Sequence, residues 1–141
     1  MRCALVLVLV SAVACGPAVP TPTGTVCPDP DPMDLTYDNF GAPFMATYCN
    51  TCHLSTLPHS QRNGAPLYHD FDSLLGIMRV SDHIDERAGF GPDAENSFMP
   101  PDRCPATPGA SLSVSCKRPT DEERRQLARW LACEKLRPHS F

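Results

Sequence analysis

The sequence predicts an all-α fold, a small helical domain with long proline-rich loops, and three observations point to it. Apolar residues recur at three-and-four spacing in three separate stretches. Alternating apolar and polar runs, the mark of half-buried strands, are scarce from Leu35 onward. Sixteen prolines in a chain of 141 residues favour short helices and extended connections over a broad sheet.

The first helix is read from Tyr37, Phe40, Phe44, Met45 and Tyr48, which fall on one helical face; Pro43 is tolerated only in its first turn or at a kink. A second helix is expected from about Asp72 to Ala88. Phe71, Leu74, Leu75, Met78 and Ile84 roughly follow its period, with a break near Gly76 or Val80. The third runs from about Asp121 to Leu136. Thr120 and Glu123 form a capping-box pattern, Leu127, Trp130, Leu131 and Cys133 mark the apolar stripe, and Pro138 lies beyond its end.

Ahead of these helices, residues 1–14 read as a secretory signal. Arg2 precedes an apolar run from Ala4 to Val10 that continues through Ala12-Val13-Ala14 and is too short to span a membrane. Cleavage is expected before Cys15. Small residues followed directly by cysteine are similar to the lipobox of bacterial lipoproteins, so Cys15 is expected to carry lipid. The protein is then exported to the periplasmic face of a bacterial membrane, with Gly16 favouring the outer one. Residues 15–34 hold six prolines between Gly16 and Pro32 and read as an extended, semi-rigid tether. The domain proper is expected over 35–141. With 12 basic against 16 acidic residues and a net charge of −4, no nucleic-acid footprint is expected.

The most specific feature is Cys49-Asn50-Thr51-Cys52-His53, a C-x-x-C-H run and the attachment signature of a c-type haem. On a helix, positions i, i+3 and i+4 share a face, so two thiols and an imidazole can meet one flat cofactor. The cysteines would form thioethers and His53 would ligate the iron. A zinc site would need a second close pair, and Cys104 and Cys116 are too far apart to supply one. A redox dithiol would sit in a βαβ pattern, which this chain lacks. One such motif implies one haem.

From about Leu35 to Arg137 the chain resembles a class I c-type cytochrome. The resemblance rests on the haem motif, on Gly41 and Phe44 set against Leu127 and Trp130, and on Ser97-Phe98-Met99-Pro100-Pro101 and Arg62-Asn63-Gly64-Ala65-Pro66. It implies a helical domain wrapped around one covalent haem, with the first and last helices crossing at Gly41. It further implies Met99 as the second iron ligand opposite His53, and the Pro66 carbonyl as acceptor of the proton on the other nitrogen of His53. Among rivals to Met99, Met45 is too near the motif, Met78 belongs to a core face and Met33 to the tether. His59, His69 and His83 offer bis-histidine ligation instead. Tyr68 and Arg62 are candidates to reach a haem propionate.

Cys27, Cys104, Cys116 and Cys133 remain as an even set in an oxidising compartment, where three pairings are open. The favoured ones are Cys104 with Cys116, closing a loop before the last helix, and Cys27 with Cys133. The family pattern lacks both bridges, and 102–119 reads as an insertion. The expected function is one-electron transfer between redox protein partners by a lipid-tethered carrier that is not an enzyme. Two alternatives stand beside it: a haem enzyme or gas or redox sensor with an open or displaceable sixth position, and a colourless disulfide-stabilised interaction module.

Overall fold

The computed structural model describes residues 19–140. The signal segment and Cys15 lie outside the described residues. Among those residues the fold is mixed rather than all-α: four α-helices are accompanied by a two-stranded antiparallel sheet. Strand β1 (Arg103–Pro105) pairs with β2 (Leu112–Ser115), Cys104 lying opposite Val114, with a bulge between Cys104 and Pro105. The Cys104–Cys116 disulfide closes the base of this hairpin. The insertion expected as loop is therefore a strand pair, and its backbone groups bond to each other instead of to water.

The first helical segment starts as a π-helical turn over Tyr37–Gly41, capped by Thr36 and Asn39, and continues as α1 (Ala42–Tyr48). Pro43 sits in the first turn of α1, where its missing N–H costs nothing. The expected second helix is two, α2 (Leu74–Arg79) and α3 (Ser81–Ala88), broken at Val80. Helix α4 (Asp121–Glu134) begins at the Thr120–Glu123 capping box and stops short of Leu136. No described helix is long and apolar enough to cross a membrane.

These helices share one core. Phe44 and Met45 of α1 meet Ile77 of α2, Ile84 of α3, and Leu127, Trp130 and Leu131 of α4. The crossing at Gly41 is close enough that a Cβ placed there would lie 2.3 Å from the Trp130 ring. Trp130 is fixed in turn, because its Nε1 donates to Glu134 at 3.0 Å and Glu134 pairs with Arg137 at 2.7 Å. Arg137 also pairs with Asp31 at 2.7 Å and donates to the Leu35 carbonyl.

Part of the stretch expected as an extended, semi-rigid tether over 15–34 is packed against the domain, from Thr21 to Cys27. Thr21 and Thr23 are buried, and the Thr23 amide and hydroxyl donate to the buried carboxylate of Asp85 in α3 at 2.8 and 3.1 Å. Cys27 is disulfide-bonded to Cys133 of α4. That bridge closes a loop of about a hundred residues, for which chain entropy allows roughly 4–5 kcal/mol of stabilisation. The two bridges fit an oxidising, exported environment.

Two carboxylates tie these junctions to pH. The Thr120 amide, helped by the Tyr48 hydroxyl, holds Glu123 below its ordinary value of 4.5, and Arg137 holds Asp31 below its ordinary 3.8. Both groups bind fewer protons folded than unfolded, so their contribution is present above those ordinary values and is lost as pH falls through the lower folded ones. The urea midpoint is expected to drop between about pH 5 and pH 3. Glu123→Gln together with Asp31→Asn should flatten that drop, read by circular dichroism; an unchanged pH slope would refute the linkage.

Candidate functional site

A cavity of about 540 Å³ is walled by the end of α1, the 62–71 loop, α3 and the loop around Met99. That volume falls within the ~300–1,000 Å³ typical of small-molecule and cofactor sites. Cys49, Cys52, His53 and Met99 all line it, so the structure brings together residues the sequence singles out across fifty positions. The motif itself lies just past α1, in consecutive turns rather than in the helix. The His53 amide still donates to the Cys49 carbonyl at 3.1 Å, which preserves one helix-like turn.

His53 is held from two sides. Its ring stacks on Phe71, with centroids 4.2 Å apart and planes 7° from parallel. Its Nδ1 lies 2.9 Å from the carbonyl of His69. A carbonyl only accepts, so the proton resides on Nδ1 and Nε2 keeps its lone pair. Burial pushes the imidazole down to about 4, so it is neutral at physiological pH. The acceptor is thus His69 and not Pro66, which the sequence favoured. The Pro66 carbonyl is taken by Arg62 at 2.9 Å, although Pro66 still lines the cavity.

Arg62 is the organising residue that sequence reasoning placed only at a cofactor's edge. Its side chain is 1% exposed and donates to the carbonyls of Leu54, Pro66 and His69 and to Asp70 at 2.8–2.9 Å. The His69 carbonyl therefore accepts from both His53 and Arg62, and the guanidinium fixes the group that fixes the histidine. Arg124 does similar work for the Met99 loop. It is buried and donates to the carbonyls of Ala88, Asn96 and Met99, while the Met99 amide donates to Arg87 at 2.9 Å. Arg124, Leu127 and Leu131 fall on one helical line, so an arginine on the apolar stripe was a readable signal.

The chemistry of the cysteines narrows the use of the site. Cys49 and Cys52 are thiols, whereas Cys27, Cys104, Cys116 and Cys133 are bridged in the pairs favoured from sequence. Burial pushes the Cys49 thiol up to about 12 and raises that of Cys52, the reverse of an activated dithiol. Among the described residues, the one cluster of possible ligand atoms within 4.8 Å of each other is Cys27, Asp31 and Cys133, and its sulfurs are spent in a disulfide. Cys49, Cys52 and His53 line the cavity and form no such cluster among the described residues.

The residues present fit a covalent haem on further grounds. The lining is largely apolar, with Phe44, Phe71, Ile84, Ala88 and Leu112 among it, and includes no carboxylate. It does include Arg62 and Arg87. His69 and His83 also line the cavity, with ring centroids 5.5 Å apart; His59 does not. Tyr68 is exposed and outside the lining. Comparison with family models, curated proteins and solved structures finds no match to this chain.

Proposed function

We propose that this chain is a one-electron carrier holding a single c-type haem, with Cys49 and Cys52 as attachment points and His53 and Met99 as axial ligands. The observation that carries the reading is His53, its Nδ1 set 2.9 Å from the His69 carbonyl, beside two unbridged thiols in one apolar cavity. When bound, the haem supplies a one-electron ferric–ferrous couple. Phe71, His69 and Arg62 orient the imidazole, and Arg124 and Arg87 hold the backbone of Met99. The Met99 side chain is 42% exposed among the apolar residues at the cavity rim. Resemblance to class I c-type cytochromes in the motif and at the Gly41–Trp130 crossing supports the same reading.

In this proposal Cys15 carries the lipid. Packing of the chain from Thr21 onward leaves about six residues between anchor and domain, which can span at most about 22 Å. The domain therefore works close to the membrane surface. Mass spectrometry of the full chain, made with a working haem-attachment system, reads both modifications at once: one haem that resists acidified organic solvent, and a lipidated Cys15. Colourless mature protein would end the proposal. A second ligation has its own support, because His69 and His83 share the cavity with Met99. Met99→Ala is expected to remove the weak sulfur-to-iron band at the red end of the ferric spectrum, while His83→Ala leaves it. A wild-type ferric spectrum that lacks this band, and that changes in His83→Ala or His69→Ala but not in Met99→Ala, assigns the sixth position to histidine.

A further inference from the structure

We propose that the end of the domain around the Cys27–Cys133 disulfide rests on a lipid bilayer, with Val19, Val26, Met33 and Leu136 seated at the headgroup boundary. The inference rests on the lipid-tether part of the reading above, Cys15 as the lipidated residue, and adds the face turned to the membrane. Exposed apolar side chains gather at this end: Val19 is 80%, Val26 45%, Met33 55% and Leu136 60% exposed. A chain of contacts draws them together. The Thr21 amide donates to the Thr25 carbonyl at 2.9 Å, so the chain enters beside Val26. Cys27, next to Val26, is bonded to Cys133 with Cα atoms 4.6 Å apart, and the Leu136 amide donates to the Cys133 carbonyl at 3.0 Å. The Met33 amide donates to Asp31 at 2.9 Å, and Asp31 pairs with Arg137, the neighbour of Leu136, at 2.7 Å. None of the four apolar residues lines the cavity, so covering them leaves its lining untouched.

The length of the tether identifies what covers this end. At most about 22 Å of chain separates Cys15 from Thr21, less than the roughly 35 Å across a domain of this size. The end where the chain enters is therefore held nearest the bilayer, and the four apolar residues are at that end. One exposed apolar side chain is ordinary on any surface; four at the point of attachment give the lipid anchor a second contact. The polar groups here suit a shallow seat. Asp31 pairs with Arg137, Asp34 with Arg129 at 2.8 Å, and Lys135, beside Leu136, with Asp82, so these charges meet the boundary as neutral pairs. Pro28, Pro30 and Pro32 are exposed and lack an N–H, so this part of the strap brings fewer backbone donors to an apolar boundary. Asp29, exposed between two of them, limits the depth to the headgroup layer, where water reaches a carboxylate.

The test is hydroxyl-radical footprinting of the full lipidated chain in vesicles of phosphatidylethanolamine and phosphatidylglycerol, with radicals made by radiolysis of water. The reference is Cys15→Ser mixed with the same vesicles, and mass spectrometry reads oxidation at each residue. Oxidation of Val26, Met33 and Leu136 is expected to fall about threefold or more in the anchored chain, while that of the exposed Tyr68 and Phe98 stays within about 1.5-fold. Val26→Glu with Leu136→Glu should return Met33 oxidation to the unanchored level while the chain still floats with the vesicles. A floating chain in which all five residues are oxidised as in the reference, or in which Tyr68 and Phe98 are the protected ones, overturns the resting face and leaves the anchor standing. So does protection of Met33 and Leu136 that grows with protein concentration in the absence of vesicles, which would make a second copy the occupant. An unmodified Cys15 on a chain that does not float overturns the tether reading and this inference with it.

Discussion

Arg62→Met is expected to destabilise the fold by about 3 kcal/mol or more and to loosen the ring of His53, the axial ligand of the proposed haem. The substitution keeps much of the buried volume but removes four donor contacts. The carbonyls of Leu54, Pro66 and His69 and the carboxylate of Asp70 lose their common partner. Leaving buried acceptors unpaired costs about 1–3 kcal/mol each when water cannot replace the donor, and Asp70, partly exposed, regains some hydration. Arg62→Lys keeps the charge but not the planar fork, so it should recover only part of the loss. Urea unfolding measures the stability. Resonance shifts of the His53 ring protons measure its orientation, which a purely structural role for Arg62 would leave alone in the folded protein. Both variants unfolding like wild type would show that the guanidinium does not organise the site.

This arginine shows what a sequence reveals and what it withholds. Side-chain patterns were legible in part: the Thr120 capping box and the break between α2 and α3 rest on residue types at fixed spacing, the two disulfides were the favoured choice among three open pairings, and the Gly41–Trp130 crossing was implied by the resemblance to class I c-type cytochromes. The acceptor for His53 was not legible, because a backbone carbonyl has no side-chain signature and any residue near position 66 can present one. The hairpin was half legible. Leu112-Ser113-Val114-Ser115 alternates with period two, but four residues among Pro105, Pro108 and Gly109 read as loop, and pairing became visible only in three dimensions. The Thr23–Asp85 contact joins residues 62 apart through a small hydroxyl and a carboxylate, neither of which stands out in a proline-rich leader. Local order is thus written in side chains, while the second layer of the site is written in backbone and burial.

Gly41→Ala is expected to lower stability by about 1–3 kcal/mol, although the same change in an exposed helix stabilises by roughly 0.5–1 kcal/mol. Space decides the sign. A Cβ at this position would stand 2.3, 2.6 and 2.8 Å from three carbons of the Trp130 ring, where ordinary contact needs about 3.5 Å or more. The ring cannot turn aside freely. It is fully buried, its Nε1 donates to Glu134, and Glu134 is held by Arg137, itself paired with Asp31. The helix must move instead, and α1 carries Phe44 into the cavity wall and ends one residue before Cys49. Gly41→Leu should therefore cost more than alanine and, under the proposed function, also lower the yield of attached haem, since both thiols ride on the displaced segment. Trp130→Phe in the Gly41→Ala background removes the indole's second ring and should return part of the loss. Urea midpoints of the two single variants and the pair measure this coupling, and additive single effects would mean that the glycine is not required by the crossing.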